Sequence, residues 1–121
     1  MRRFGAVLVS AVLAAAGSPA LAEPVDVEIV LAQDGSGSID EDEFRLQREG
    51  YAAAITDTRV LDAIAAGAHG AIAVAYIEWG APDSQHLIAG WVVIRDRNSA
   101  EAFAEQLRTA PRMARGYRNA V

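Results

Sequence analysis

The stretch Val25-Asp-Val-Glu-Ile-Val-Leu-Ala, running directly into Asp34-Gly-Ser-Gly-Ser, constrains this chain more than any other segment. Its apolar residues alternate at first and then become continuous, the pattern of a strand entering a buried sheet. A turn must follow, because glycine and serine alternate there, and Ser38 with Glu41 three positions later makes a capping box for a helix. Strand, tight loop and helix in that order open an α/β fold, since the helix carries the chain back to a parallel neighbour.

The first helix is expected from about Ile39 to Thr56. Phe44, Tyr51 and Ile55 fall at i, i+7 and i+11 on one inward stripe, while Asp40, Glu41, Asp42 and Glu43 crowd the first turn, where the helix dipole favours anions. Thr58 to Ala66 reads as a short satellite helix with Leu61 and Ile64 inward and Gly67 as its stop. Ala71 to Trp79 is an apolar strand, and the turn Gly80-Ala-Pro-Asp-Ser returns a second strand through His86 to Ile94 as an antiparallel hairpin. Asn98 or Ser99, with Glu101 following, caps a last helix carrying Phe103 and Leu107, and Pro111 ends it. The order strand, helix, strand, strand, helix is the opening of a doubly wound, Rossmann-like sheet. In such a sheet the loop after the first strand lies at the carboxyl edge, where ligands bind.

Ahead of this domain, Met1-Arg2-Arg3 is positive, Phe4 to Ala16 is almost purely apolar, and Ala20-Leu21-Ala22 has the small-x-small pattern of a signal peptidase site. Residues 1–22 are therefore read as a signal peptide and 23–121 as the exported domain, periplasmic or secreted. A membrane-spanning anchor would need about 20 apolar residues, and Gly17-Ser18-Pro19 interrupts this run early. The paired arginines hint at twin-arginine export, although Phe4 follows them directly.

Charge and cysteine usage exclude several functions. Beyond residue 22 the chain carries 9 arginines against 16 carboxylates, a balance of −7 that suits cations or basic surfaces and opposes nucleic acid. Cysteine is absent, which removes disulfides, thiolate metal sites and cysteine nucleophiles.

The loop itself offers metal chemistry. Asp34, Ser36 and Ser38 are oxygen-bearing side chains at alternate positions, and they turn toward one point when a chain leaves a strand and wraps into a helix. Hard divalent cations such as Mg²⁺, Mn²⁺ or Ca²⁺ take one carboxylate, neutral hydroxyls and waters in this way, and Gly35 and Gly37 let the backbone fold closely. On local chemistry alone the same residues equally describe a plain turn, with Asp34 ending the strand and Ser38 capping the helix. An EF-hand starting at Asp34 would need Gly and Glu where Ile39 and Arg45 stand. A P-loop would need Lys after Gly37, and a nucleophile elbow would need Gly where Asp34 or Asp40 stands. A phosphatase-type aspartate would have a second carboxylate where Ser36 stands.

The Asp-x-Ser-x-Ser motif at the end of a hydrophobic strand resembles the von Willebrand factor type A domain. More narrowly, Asp34-Gly-Ser-Gly-Ser-Ile-Asp, Phe44-Arg-Leu-Gln-Arg-Glu-Gly-Tyr and Ala75-Tyr-Ile-Glu-Trp are similar to an uncharacterised family of exported bacterial A-like domains. The resemblance implies that Asp34, Ser36 and Ser38 are the first three ligands of a metal-ion-dependent adhesion site, with a partner's carboxylate completing the shell. It also implies a departure. In that family the Pro-Arg segment leads to a Gly-x-Thr-Ser loop bearing the next ligand, whereas here Pro111-Arg112 and Gly116 are followed by Tyr117 and Arg118, and the sequence ends at Val121. The expected fold is thus the N-terminal half of the A-type domain, with weak ion binding. The first strand would then have an open side through which the chain self-associates or is completed by another chain.

Three functions follow as expectations: a metal-dependent binding module without enzymatic activity, a remnant without independent function, or a hydrolase whose metal activates water. The hydrolase lacks an evident base, since Asp40 or Glu43 would serve only if the helix start turned inward. His69 and His86 have no zinc-type spacing and read as ordinary residues. Glu78 reads as its strand's exit to solvent in preference to a buried carboxylate held by an arginine. Trp79 and Trp91 are placed as a packing pair across the hairpin, with a sugar platform as the lesser reading.

Overall fold

The computed structural model describes residues 22–116. The expected signal segment, apart from Ala22, lies outside the described residues, as do Tyr117 and Arg118. Among the described residues no helix is long and apolar enough to cross a membrane.

The chain folds as β1 (Val27–Asp34), α1 (Glu41–Thr56), α2 (Thr58–Ala65), β2 (Ile72–Trp79), β3 (Gln85–Ile94) and α3 (Arg97–Thr109). The three strands form one sheet in the order β1-β2-β3, with β1 and β2 parallel and β2 and β3 antiparallel. A helical crossover between parallel strands followed by a hairpin is the mixed α/β arrangement of a partial Rossmann-like fold.

Both main helices begin at a stronger cap than the serines expected. Asp40 caps α1, its carboxylate accepting from the amides of Asp42 and Glu43 at 2.9 and 2.8 Å, while the Glu43 carboxylate accepts from Asp40 N at 3.0 Å. Asp96, not Asn98 or Ser99, caps α3, with Ser99 as the reciprocal partner. In each case a carboxylate at the helix N-terminus gains from both the free amides and the dipole, so it outcompetes a nearby hydroxyl. Asp57 caps α2, and its carboxyl is held down to about 2 by hydrogen bonds from Arg59.

The core lies between the helices and one face of the sheet. It joins Ile72, Val74 and Tyr76 of β2, Ala89 and Ile94 of β3, Ile64 of α2, and Ala100, Phe103 and Leu107 of α3. Tyr51 of α1 meets Tyr76 edge-on, with ring centroids 5.5 Å apart. Alternate residues of β2 thus carry the core, as the strand period requires.

β1 does not behave as the buried strand its composition suggests. Among the described residues it pairs on one side only, with β2, and Val27, Ile29 and Val30 are 47%, 36% and 53% exposed. Val30 pairs with Ala75 and Leu87 with Ile77, so both stand on the face opposite the core, where Leu87 is 69% exposed. An apolar groove of about 660 Å³ runs between β1 and α2, lined by Val27, Ile29, Val60, Ala63, Ile64 and Ile72. The expected Trp79–Trp91 pair is not formed either. The short turn sets Trp79 opposite Gln85, which leaves Trp91 six residues farther along β3 and exposed.

Candidate functional site

The carboxyl ends of β1 and β2, the start of α1 and the segment after α3 meet at one place. Gln33 anchors the end of β1 to α1, its buried side-chain amide donating to Phe44 O at 3.3 Å. The next residue, Asp34, begins the loop. Asp34 Oδ1 accepts from Ser36 N at 2.8 Å, a turn that folds the chain back and brings the hydroxyls of Ser36 and Ser38 to 3.2 Å of each other. Ser36 is buried, Asp34 is half-buried and Ser38 is exposed, so the three oxygens grade from the interior to solvent. Ser38 spends its hydroxyl on Ser36 and not on the helix cap, a role taken by Asp40.

The separation of the hydroxyls tests the loop as a cation site. Two oxygens at right angles about an ion lie about 3.0 Å apart for Mg²⁺ and about 3.4 Å apart for Ca²⁺, given ligand distances of about 2.1 and 2.4 Å. The 3.2 Å between Ser36 and Ser38 falls in that interval. Asp34 Oδ1 is spent on the turn, and Oδ2 is the oxygen it can offer. Among the described residues no group of three or more His, Asp or Glu side chains converges to hold a metal.

The loop is close-packed from behind. A Cβ on Gly35 would come within 2.7 Å of Ala114 Cβ, so glycine is needed for the tail to approach. Gly37 N donates to Gly116 O at 2.7 Å, and Gly116 has a positive φ of 126°, a conformation that favours glycine. Arg112 donates from Nη2 to the carbonyls of Gly35, Ser36 and Ile39 at 2.9, 3.0 and 2.8 Å, and from Nη1 to Glu41 at 2.7 Å. A cleft of about 330 Å³ lined by Gly35, Gly37, Glu41, Arg112, Ala114 and Arg115 opens beside the loop.

Glu78 corrects the sequence reading: it is a fully buried carboxylate held by an arginine. Arg48, 4% exposed, pairs with it and also donates to the carbonyls of Leu107, Ala110 and Pro111. The other oxygen of Glu78 accepts from Met113 N and Ala114 N at 2.8 and 3.0 Å. The pair therefore fixes the segment behind the loop. The signal was present in the sequence, since Arg48 interrupts the apolar stripe of α1 four residues after Phe44 just as Glu78 interrupts the apolar run of β2. Two opposite charges on two buried faces compensate each other.

The remaining candidates lie elsewhere or are committed. Asp40 and Glu43 are tied into the helix cap at an exposed position. His69 lies on the loop before β2 and donates its backbone N–H to Asp26, which helps hold the Asp26 carboxyl below its usual value. The His86 ring lies 3.2 Å from the Ser84 hydroxyl, which accepts from Arg115 N.

An α/β domain whose first strand delivers an oxygen-bearing loop to the carboxyl edge of the sheet is the class that this fold and site define. The chain belongs to a family described as Protein of unknown function (DUF1194), whose model matches residues 24–121. No curated protein and no solved structure matches the chain.

Proposed function

We infer that the chain is an exported binding module that holds a divalent cation, Mg²⁺, Mn²⁺ or Ca²⁺, on Asp34, Ser36 and Ser38 and engages a partner through that ion. The observation that carries this reading is the convergence of the Ser36 and Ser38 hydroxyls beside Asp34 at a separation suited to neighbouring ligands of one ion. The likeness of the loop to the metal-ion-dependent adhesion site of von Willebrand factor A-type domains supports it, with a partner carboxylate as the further ligand. One carboxylate and two hydroxyls hold an ion weakly, with a dissociation constant of about 10⁻⁴ to 10⁻³ M. Binding is favoured over hydrolysis because Asp40 and Glu43, the nearest carboxylates proposed as bases, are occupied by the helix cap.

A second reading, a remnant that keeps the fold but not a working site, is favoured by the small ligand set among the described residues. Mn²⁺ separates the two. Water-proton relaxation should be enhanced when the chain binds Mn²⁺, and the enhancement should fall when a glutamate-bearing peptide is added, because its carboxylate replaces coordinated water. Enhancement that a saturating excess of that peptide leaves unchanged would count against the adhesion-type reading.

A further inference from the structure

Three backbone carbonyls converging on one point form a cation's donor set, and at this loop the cation is part of the chain. Gly35 O, Ser36 O and Ile39 O all accept from Nη2 of Arg112, a residue 73 to 77 positions away in sequence. The same guanidinium donates to Glu41 and lies 4.7 Å from the centroid of the Phe44 ring, and its side chain is 18% exposed. Arg112 is itself held in place. Arg48 donates to the carbonyls of Leu107, Ala110 and Pro111 on one side of it, and Glu78 accepts from the amides of Met113 and Ala114 on the other.

We propose that Arg112 is the positioning residue of the Asp34–Ser38 loop, a latch that orders the loop before any ion arrives. The proposal rests on the reading of this loop as an ion site and adds to it a dependence on the segment after α3. By engaging the carbonyls of Gly35 and Ser36 the guanidinium fixes both peptide planes that flank Ser36, and through the carbonyl of Ile39 it holds the chain just beyond Ser38. An ion entering this loop then meets side-chain oxygens already brought together and does not have to order them. Arginine is required because its planar fork serves the loop carbonyls and Glu41 at once, whereas a lysine ammonium on a flexible stem has no second arm. The buried Arg48–Glu78 pair is the foundation of the latch, since it sets the path of residues 107–114.

The test uses the full chain with Arg112→Met and Arg112→Lys. Loop amides are well suited to report it, because Gly35, Ser36, Gly37 and Ile39 all donate hydrogen bonds that protect them from exchange. Without metal, Arg112→Met should speed hydrogen exchange across residues 35–39 by about tenfold or more, while amides of β2 and α3 exchange as before. Arg112→Lys should fall between Met and the native residue. Mn²⁺ affinity should weaken in parallel, and Asp34→Ala should remove Mn²⁺ binding. If native chain fails to bind Mn²⁺, the ion reading falls while the exchange experiment still decides the latch. Unchanged loop exchange in Arg112→Met overturns the proposal, and so does acceleration that is uniform over the whole chain in both variants, which marks a general support of the fold.

Discussion

Replacing Glu78 with alanine should unfold the chain. The carboxylate is fully buried, its partner Arg48 is 4% exposed, and both of its oxygens are engaged, one by Arg48 and the other by the amides of Met113 and Ala114. Alanine would leave a buried guanidinium without its counter-charge and two amides without an acceptor. Breaking one partner of such a pair costs about 3–5 kcal/mol. A domain of this size has about 5–15 kcal/mol in total, and one with an open sheet edge lies near the bottom of that range. Near-ultraviolet circular dichroism should therefore lose the fixed signal of the Tyr51–Tyr76 pair, and urea titration should show no cooperative step. The double variant Arg48→Met/Glu78→Leu should regain much of the loss, because a matched apolar pair of similar volume removes the stranded charge. The recovered chain would still lack the anchor for residues 107–114. A Glu78→Ala chain with the native unfolding midpoint would contradict this account of the interior.

The second large effect concerns association. Val30 and Leu87 lie exposed on the face away from the core, Val27 and Ile29 border the groove beside α2, and β1 has a free edge among the described residues. A free strand edge with apolar flanks pairs with another strand, and the apolar area around it adds to the attraction. The chain should therefore self-associate at micromolar to millimolar concentration and unfold with weak cooperativity on heating. Glu28 and Asp34 put like charges on this strand, so association should strengthen as salt screens them over a length of about 10 Å at 0.1 M. Val30→Lys combined with Leu87→Lys should return the chain to a monomer in sedimentation velocity. A native chain that stays monomeric at every concentration and salt level would rule out the edge as an association surface.

The elements themselves were legible because each is announced by local chemistry. The stripe Phe44, Tyr51 and Ile55, the hairpin turn from Gly80 to Ser84, and the pair Phe103 and Leu107 each need only neighbouring residues to be recognised, and each is found where expected. The caps were displaced by two or three residues, because hydroxyl and carboxylate candidates crowd the same turn and the choice depends on which amides point outward. The open side of β1 was expected only through the resemblance to A-type domains and could not be read from the run itself, since an apolar run reports a preference for burial and not the presence of a neighbouring strand to supply it. Glu78 was misread, with its partner Arg48 not identified, for a related reason. Each is anomalous alone, and each is explained only when α1 is laid across β2. Arg112 illustrates the limit most clearly: the Pro111-Arg112 segment is recognisable in the sequence, but only the fold carries its arginine beneath a loop more than seventy residues away.

Calorimetric titration of the chain with Mg²⁺ and with Mn²⁺, run beside Asp34→Ala, tests the central claim most directly. Weak saturable binding of one ion per chain, with a dissociation constant of about 10⁻⁴ to 10⁻³ M and lost in Asp34→Ala, is the predicted result. Heats for the native chain that match those of Asp34→Ala would show that the Asp34–Ser38 loop is a turn and not a metal site.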